Sequence, residues 1–204
     1  MVTIIDYKTG NIGSIQNMLK KVGAESIITS QKDEIANATK LILPGVGAFD
    51  TGMRNLKDLD LIDIINRKVL VDKVPVLGIC LGLQLMSNKS EEGILPGLGW
   101  INAETLRFRF NNTSEYKIPH MGWNFISIKK ESRLLEGMFP DSRFYFVHSY
   151  YLSVFDRDDI LASTCYESEF SSAIEKGNIS GVQFHPEKSH KFGMKLLKNF
   201  VDFY

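Results

Sequence analysis

Cys80 is the residue whose surroundings most clearly indicate a catalytic role, because it lies between two glycines in the segment GICLG. An apolar run precedes this segment and the helix-compatible residues LQLM follow it, so the pattern predicts a strand, a sharp turn and a helix. Such a turn projects the thiol from the carboxyl edge of a sheet, at a helix N-terminus that favours a thiolate. It also aims the backbone N–H of Leu81 beside the sulfur, as one oxyanion donor. A buried structural cysteine is the alternative, and the flanking glycines favour the nucleophile.

A base for such a nucleophile is present in the segment QFHPEK, where His185 and Glu187 directly follow an apolar strand. A cysteine nucleophile needs a base, and the base needs an orienting acceptor. Because residues two apart on a strand face the same side, we expect both side chains to reach one site. Taken alone, the segment also fits a surface histidine beside a glutamate, and His148 in FVHSY is a competing base. Together with Cys80, the segment predicts nucleophilic catalysis.

The turn PGVG, residues 44–47, follows the apolar strand KLIL. In a parallel sheet it lies at the same edge as Cys80, where its backbone N–H groups can bind an anion or oxyanion. An ordinary β–α turn is the alternative. No Gly-Lys-Ser/Thr follows, so the turn is not a phosphate loop, and residues 6–13 lack the spacing of a dinucleotide site. Because glycines let a peptide plane rotate cheaply, we expect one oxyanion donor to be absent until a partner docks.

The elements that position these residues alternate between strand-like and helix-like patterns in the first half of the chain. Short apolar runs typical of buried strands are VTIID, SIIT, KLIL and VPVLGI. Apolar residues at helical spacing lie between them, at Ile12, Ile15, Met18, Leu19 and Val22, and again at Leu56, Leu59 and Ile65. This alternation predicts a parallel sheet that is covered by helices on both faces.

The second half is richer in strands and aromatic residues. The segments INAETLRFRF, WNFISIK and RFYFVHSYYL are typical of antiparallel or mixed strands, SGVQF is one more apolar strand, and residues 189–204 are helical by period. The predicted fold class is therefore α/β, with a central, mostly parallel sheet, flanking helices and additional antiparallel strands. No linker divides the chain, so we expect a single domain over residues 1–204.

Composition narrows the function further. The chain has 204 residues with 24 basic and 24 acidic side chains, so it lacks the basic excess typical of a nucleic-acid binder. Its two cysteines exclude a disulfide framework and a four-thiolate zinc site, and four histidines disfavour a histidine-rich metal cluster. The N-terminus lacks the pattern of a signal peptide, and the most apolar stretch is too interrupted to span a bilayer. We expect a cytoplasmic protein with no cofactor, no metal, no nucleic acid and no membrane contact.

The segments PGVGAF, LGICLGLQ, KIPHMGWN, YFVHSYY and GVQFHPEKS together resemble the triad-type, or class I, glutamine amidotransferases. The resemblance extends from IIDYKTGN to the last helix and implies the flavodoxin-like fold of that family. PHMGWN and PGVGAF, in a free-standing chain of this size, are similar more narrowly to the subunits that supply ammonia for building an imidazole ring. That resemblance implies L-glutamine as the substrate.

The resemblance also implies a role for individual residues. Cys80 matches the nucleophile, His185 the base and Glu187 its orienting carboxylate, which leaves His148 as part of the binding wall. The remaining matches are the oxyanion hole at Val46, Gly47 and Leu81, the glutamine site at Gly45, Gln84, Glu92, His148, Ser149 and Tyr150, and the partner interface at Asn11, Met121, Trp123 and Lys188. A core position is the alternative for Trp123.

Three functions remain open at this stage. The first is a glutaminase whose ammonia enters a (β/α)8-barrel synthase subunit of histidine biosynthesis, in a heterodimer. The second is a paralogous glutaminase that supplies ammonia for amination of a nucleotide sugar in surface glycan synthesis, to which the tail HPEKSHKFGMKLLKNF is more similar. The third is a regulatory module without catalysis, which the presence of Cys80, His185 and Glu187 disfavours.

Overall fold

The computed structural model describes residues 1–111 and 114–204. Their strands are β1 (Val2–Ile5), β2 (Ser26–Thr29), β3 (Leu41–Leu43), β4 (Val76–Ile79), β5 (Lys89–Ser90), β6 (Ala103–Arg107), β7 (His120–Phe125), β8 (Ser127–Ile128), β9 (Arg143–His148), β10 (Tyr150–Val154), β11 (Ile160–Tyr166), β12 (Ser168–Lys176) and β13 (Ile179–Val182). Their α-helices are α1 (Ile12–Lys21), α2 (Lys32–Ala36), α3 (Phe49–Asp58), α4 (Ile62–Asn66), α5 (Leu81–Leu85) and α6 (His190–Phe203). Shorter helical turns cover Arg67–Val71, Arg133–Leu135, Arg157–Asp159 and Pro186–Lys188.

One large sheet organises the fold. Its strand order is β2-β1-β3-β4-β13-β12-β10-β6-β5, and β11 pairs with both β12 and β8. The pairs from β2 to β13 are parallel, whereas β12, β10 and β11 join by antiparallel pairs. Strands β7 and β9 form a separate antiparallel ribbon. The expected α/β class, with a parallel core and added antiparallel strands, is confirmed.

The core lies on both faces of the sheet because its central strands are buried on both sides. On β4, Leu77 and Ile79 join one apolar cluster with residues of α1 and α6, and Val76 joins the other with residues of α3 and α4. All four residues of β4 are buried, as expected for a parallel strand between two helix layers.

Two of the predicted elements differ in detail from the structure. The helical stretch through Leu56, Leu59 and Ile65 is two helices, because Asp60 adopts a left-handed φ of 54° that ends the first. The segment RFYFVHSYYL is two strands that separate at Ser149 and pair with different partners. This separation places residues 148–150 at the junction of the ribbon and the large sheet.

The carboxyl ends of β3, β4 and β13 are neighbours, because β3 pairs with β4 and β4 pairs with β13 in parallel. The PGVG turn follows β3, Cys80 follows β4, and His185 lies three residues beyond β13. The topology therefore brings the three sequence features to one edge of the sheet. Within residues 1–111 and 114–204, no helix has the length and apolar character needed to cross a membrane.

Candidate active site

Cys80 lies on the sharp turn that the flanking glycines predict. It follows β4 directly, precedes α5, and has a φ of 53° and a ψ of −108°, a strained conformation for a residue with a side chain. Gly82 allows the turn because a Cβ at this position would overlap the carbonyl oxygen of Leu43. The cysteine is 7% exposed, and it lines a pocket at the carboxyl edge of the sheet.

His185 and Glu187 form a buried pair beside this turn. The Nδ1 atom of His185 lies 2.7 Å from Oε1 of Glu187, and the two side chains are 1% and 2% exposed. The expectation that strand alternation brings them together is wrong. Strand β13 ends at Val182, and Pro186–Lys188 is a 3-10 turn that folds Glu187 back onto the imidazole.

The backbone around His185 is tied to the ribbon. Its N–H donates to the carbonyl of Tyr145 at 2.9 Å, and its own carbonyl accepts from the hydroxyl of Ser189 at 2.6 Å. The same hydroxyl accepts from the N–H of Tyr145 at 3.0 Å. The ring position of His185 is therefore set by β9 as well as by Glu187.

The charges around His185 favour its protonated form. Burial lowers the pKa of this imidazole, but the negative charge at Cys80 and the hydrogen bond and charge of Glu187 outweigh burial and raise its pKa above the usual value of 6.5. Its Nε2 atom is buried and has no hydrogen-bond partner within the described part of the chain. The imidazole can therefore hold a proton close to the thiol and has one nitrogen available to transfer it.

The PGVG turn forms the opposite wall of the pocket. The N–H of Leu81 does not point to open space beside the sulfur; it donates to the carbonyl of Gly45 at 3.3 Å. This approach needs glycine, because a Cβ on Gly45 would meet the Cβ of Leu81 at 2.9 Å. Val46 is 43% exposed and Gly47 has a φ of 110°. In this conformation the first oxyanion donor is occupied by a backbone carbonyl.

A buried tyrosine, Tyr7, is hydrogen-bonded to the first residue of that turn. The hydroxyl of Tyr7 donates to the carbonyl of Pro44, and burial raises the pKa of Tyr7 so that it stays neutral. The anchor holds the start of the turn, whereas the peptide between Gly45 and Val46 lies beyond it.

Two glutamine side chains link the pocket wall to the nucleophile. The Nε2 atom of Gln84 donates to the carbonyl of Tyr150 at 3.1 Å and to Oε1 of Gln183 at 3.0 Å. The Nε2 atom of Gln183 in turn lies 3.6 Å from the sulfur of Cys80. The sequence does not single out Gln183 as a site residue; the one signal it offers is a polar side chain between an apolar strand and His185.

Most of the expected site residues line one pocket of about 540 Å³. Glu92 is among them, and its Oε2 atom accepts from the N–H of Phe49 at 2.8 Å while partial burial raises its pKa. The lining residues are Val46, Gly47, Cys80, Leu81, Gln84, Glu92, Pro119, Val147, His148, Ser149, Tyr150, His185 and Lys188. Two expected residues are next to the pocket without lining it: Glu187 contacts His185 from behind, and Gly45 precedes Val46 in the turn.

The remaining expected residues lie outside this pocket. Asn11 is exposed at the start of α1, and β7 presents Met121, Trp123 and Phe125 at 61%, 43% and 58% exposure. Trp123 stacks on His190 with ring centroids 5.5 Å apart, so it is a surface residue and the core alternative is wrong. These alternate residues of one strand form an exposed apolar row beside the pocket.

The second cysteine does not line this pocket. Cys165 is exposed on β11, and its carbonyl accepts from the side-chain amide of Asn124 at 3.0 Å. Cys80 is thus the thiol that shares a pocket with a histidine and a carboxylate, and Cys165 is a surface thiol at the edge of the ribbon.

Comparison with known proteins identifies the family to which this site belongs. The family model described as glutamine amidotransferase class-I matches residues 3–203. Imidazole glycerol phosphate synthase subunit HisH 2 of Methanococcus maripaludis is 58% identical over 201 residues, covering 98% of each chain. The subunit of the same name from Pseudomonas aeruginosa is 50% identical and covers 99% of each chain. A solved structure described as a glutamine amidotransferase superposes with a TM-score of 0.72 at 19% identity, covering 99% of this chain and 98% of that one.

Proposed function

The chain belongs to the class I glutamine amidotransferases, and on this basis we propose that it is a HisH-type glutaminase subunit of imidazole glycerol phosphate synthase in histidine biosynthesis. It hydrolyses the side-chain amide of L-glutamine and passes the ammonia to a HisF-like (β/α)8-barrel synthase subunit, which forms imidazole glycerol phosphate and AICAR. The observation that carries the proposal is Cys80 in one pocket with the buried His185–Glu187 pair, in a chain that matches such subunits over its whole length.

Cys80 is the nucleophile of this reaction. Its thiol proton passes to Nε2 of His185, and the thiolate attacks the amide carbon of glutamine. The tetrahedral intermediate collapses to a thioester while His185 protonates the departing nitrogen, which leaves as ammonia. A water molecule then gives a proton to His185 and attacks the thioester, which releases glutamate and regenerates the thiol. Glu187 holds Nδ1 of the imidazole and stabilises its charged form throughout.

The oxyanion donors are the N–H groups of Leu81 and of Val46 or Gly47. The contact between the Gly45 carbonyl and the Leu81 N–H means that this hole is not yet open. Rotation of the peptide between Gly45 and Val46 removes that carbonyl and turns the Val46 N–H toward the pocket. Both donors then face the developing oxyanion, so the rate of the chemical step depends on the state of one peptide plane.

Glutamine binds between the sulfur and the junction of the ribbon and the large sheet. Both N–H bonds of the Gln84 amide are taken by protein acceptors, so its oxygen is the atom that serves the substrate. Glu92 pairs with the α-amino group, because a cation offsets the effect of burial on its carboxylate. The backbone of residues 148–150 contacts the amino-acid end of glutamine, and Gly45 contacts it after the peptide rotation.

The barrel subunit docks on the apolar row of β7. Met121 and Trp123 supply the anchors, and Asn11 and Lys188 supply polar contacts around them. Lys188 links the two surfaces, because it lines the pocket and lies 5.7 Å from the ring of Tyr145 on the ribbon. Docking here closes the pocket toward the partner, so ammonia leaves into the barrel. We place the heterodimer in the cytoplasm.

Ammonia release from glutamine tests this function. We expect slow turnover by the isolated chain and a much larger catalytic constant with the barrel subunit and its ligand. The Michaelis constant for glutamine changes far less, because docking opens the oxyanion hole. Trp123→Ala weakens docking or activation without unfolding the chain. Equal turnover with and without the partner contradicts the proposed coupling, and no turnover under either condition contradicts the activity.

A second candidate rests on the tail HPEKSHKFGMKLLKNF, which is more similar to that of paralogous glutaminases than to that of histidine-biosynthesis subunits. In that case the ammonia serves the amination of a nucleotide sugar in surface glycan synthesis. The pocket residues act identically for both products, so the partner decides. Co-purification of the barrel protein, followed by assay of its own ammonia-dependent reaction, separates the two: ring formation supports histidine synthesis, and amination of a sugar supports the second candidate.

A further inference from the structure

Two buried histidines, His120 and His148, contact each other through ring nitrogens between the apolar row of β7 and the glutamine pocket. His120 begins β7, His148 ends β9, and the two are register partners in the ribbon. Nδ1 of His120 lies 3.0 Å from Nε2 of His148, and the two residues are 3% and 5% exposed. The catalytic steps use neither ring, so this buried contact needs its own explanation.

Both imidazoles are neutral at pH 7. Burial lowers the pKa of His120 to about 4 and, with help from neighbouring histidines, lowers the pKa of His148 to about 3. A neutral imidazole carries one N–H and one bare nitrogen, so it donates on one side and accepts on the other. A contact between two such rings therefore has a direction.

The acceptor at one end sets this direction. Nδ1 of His148 lies 2.7 Å from the carbonyl of Tyr150, which can only accept, so Nδ1 carries the proton and Nε2 is bare. The Nδ1–H of His120 donates to that bare nitrogen, which leaves Nε2 of His120 as an acceptor. The amide nitrogen of Asn124 lies 3.3 Å from it and donates. One orientation satisfies every atom from Asn124 to Tyr150.

The surrounding rings prevent rotation of His120. It is stacked between Tyr166 at 4.0 Å and Phe146 at 4.8 Å, measured between ring centroids. The hydroxyl of Tyr166 is itself fixed, because it bonds both the N–H and the carbonyl of Lys117. Asn124 is held by the N–H of Phe125, which donates to its Oδ1 at 2.8 Å. The direction of the bonds is thus supported by packing.

The Tyr150 carbonyl also joins this chain of bonds to the nucleophile. It accepts a second hydrogen bond from Gln84, which continues through Gln183 to the sulfur of Cys80. A displacement of that carbonyl therefore alters the glutamine wall and the amide beside the sulfur together. The apolar row on β7 is adjacent, because Met121 and Trp123 lie between His120 and Asn124 on the same strand.

We propose that His120 is a positioning residue for glutamine binding: its Nδ1–H fixes the tautomer and ring of His148, and thereby the Tyr150 carbonyl, to the docking strand β7. The inference rests on the proposed function in taking residues 148–150 as the glutamine wall and β7 as the docking strand. His120 touches neither the substrate nor the reacting atoms, and it acts through His148.

Two amide replacements of His120 separate this role from simple packing. The nitrogen of asparagine occupies the place of Nδ1, and that of glutamine the place of Nε2, so His120→Asn keeps the donor to His148 and His120→Gln loses it. In the complex with the barrel subunit, we expect His120→Gln to raise the Michaelis constant for glutamine about tenfold, the effect of one lost buried hydrogen bond. We expect His120→Asn to stay within about twofold. Equal effects of the two variants overturn the proposal, because both remove the stacked ring.

A change at Asn124 tests the direction of the bonds. Aspartate accepts and does not donate, so Asn124→Asp draws the proton of a neutral His120 to Nε2 and sets two bare nitrogens against each other; the assay is run at alkaline pH, where the new carboxylate does not hold His120 as a cation. We expect a rise of about tenfold in the Michaelis constant for glutamine. The matched control is Asn88→Asp, which makes the same change in an exposed pair with Asn102. An effect of Asn124→Asp no larger than that of the control overturns the proposal.

A readout independent of activity completes the test. With 15N-labelled histidine, NMR of the native chain assigns the tautomer of each neutral ring, and His185→Ala and His190→Ala variants assist the assignment. We expect protonated Nδ1 in both His120 and His148, and a protonated Nε2 in either ring overturns the proposal. Glutamine turnover by Cys80→Ala, by contrast, contradicts the proposed function and leaves the tautomer result standing.

Discussion

The two walls of the pocket differ in how completely their catalytic groups are arranged for reaction. Where β4 and β13 end, Cys80 and His185 are buried, and a 2.7 Å contact to Glu187 already orients the imidazole. On the wall made by the PGVG turn, Val46 is exposed and the Gly45 carbonyl occupies the N–H of Leu81. The first wall is assembled for reaction, and the second is not.

This difference separates two parts of catalysis. In the proposed mechanism, nucleophilic attack and proton transfer depend on side chains that strands and hydrogen bonds hold in place. Stabilisation of the oxyanion would depend on a peptide plane next to glycine, which can take either of two orientations at low cost. Such a subunit would keep its reactive groups ready and would withhold charge stabilisation until the acceptor of the ammonia is present, so that glutamine is not hydrolysed without it.

The largest effect belongs to the nucleophile on the assembled wall. Cys80→Ala lowers glutamine turnover by the complex by about 10⁴-fold or more, because the thioester cannot form. Ammonia-dependent synthesis by the barrel subunit persists, since it has its own site. Cys165→Ser is the matched control and keeps full activity. A chloroketone analogue of glutamine labels Cys80 and spares Cys165; comparable labelling of both thiols shows that Cys80 has no special activation.

The next prediction compares the losses of activity on changing His185 and Glu187, the two residues that assist the thiol. His185→Ala loses nearly as much activity as Cys80→Ala, because a nucleophile and its base act as a unit. Glu187→Gln loses about tenfold to 100-fold less, since the carboxylate orients the imidazole and does not react. Steady-state turnover in the complex gives both values. A loss from Glu187→Gln as deep as that from Cys80→Ala assigns Glu187 a further role.

A change in the PGVG turn is expected to have a smaller effect, which appears only when the partner is bound. Gly47 has a φ of 110° in the closed turn, and its conformational freedom lets the neighbouring peptide plane change orientation. A β-branched residue restricts that change, so Gly47→Val hinders the turn from reaching its open form. We expect about a 100-fold loss of the partner-activated rate, the usual effect of one oxyanion donor. The slow rate of the isolated chain changes little, and circular dichroism confirms the fold. A fully activated Gly47→Val complex shows that the turn is preformed.

The last prediction concerns stability, and near neutral pH, where activity is measured, its effect is the smallest; it contrasts the histidines of the two regions. The folded pKa values of His120 and His148, about 4 and about 3, lie below the ordinary 6.5, so the unfolded chain binds protons first as pH falls. The free energy of unfolding then falls below pH 6.5, by about 1.4 kcal/mol per pH unit for each ring. For His185 the folded pKa is raised, so its contribution is present below pH 6.5 and is lost as pH rises through the folded pKa.

Urea unfolding at several pH values measures these slopes. His120→Asn removes one of the two titrating rings, so its slope between pH 6.5 and 4 is smaller than that of the native chain. His185→Ala removes the alkaline loss and leaves the acid slope. The difference between each variant and the native chain isolates the histidine from the carboxylates, which titrate in the same acid range. An unchanged acid slope in His120→Asn contradicts the neutral assignment.

The sequence predicts the parts of the site that depend on local pattern. Gly82 beside Cys80 indicates a turn that excludes side chains, and the structure shows the Leu43 carbonyl where a Cβ would lie. The parallel strands follow from apolar runs separated by helical periods. The two-residue spacing of His185 and Glu187 predicts their contact, although a 3-10 turn makes it rather than a strand.

Contacts between distant segments leave no such pattern. His120 meets His148 across 28 positions, and Gln183 meets Cys80 across 103 positions. The contact of Gly45 with Leu81 depends on the orientation of one peptide, which residue types do not specify. These interactions are set by strand order and register, so they become visible only when the whole fold is assembled.

The position of Cys165 has a practical consequence. Its thiol is exposed, whereas its carbonyl is bonded to Asn124 at the inner edge of the docking ribbon. A fluorophore attached there by brief maleimide treatment would sit beside the proposed docking surface, while Cys80 stays protected by burial. The native chain thus carries its own attachment point for an optical sensor, through which association and turnover can be followed in the same cuvette.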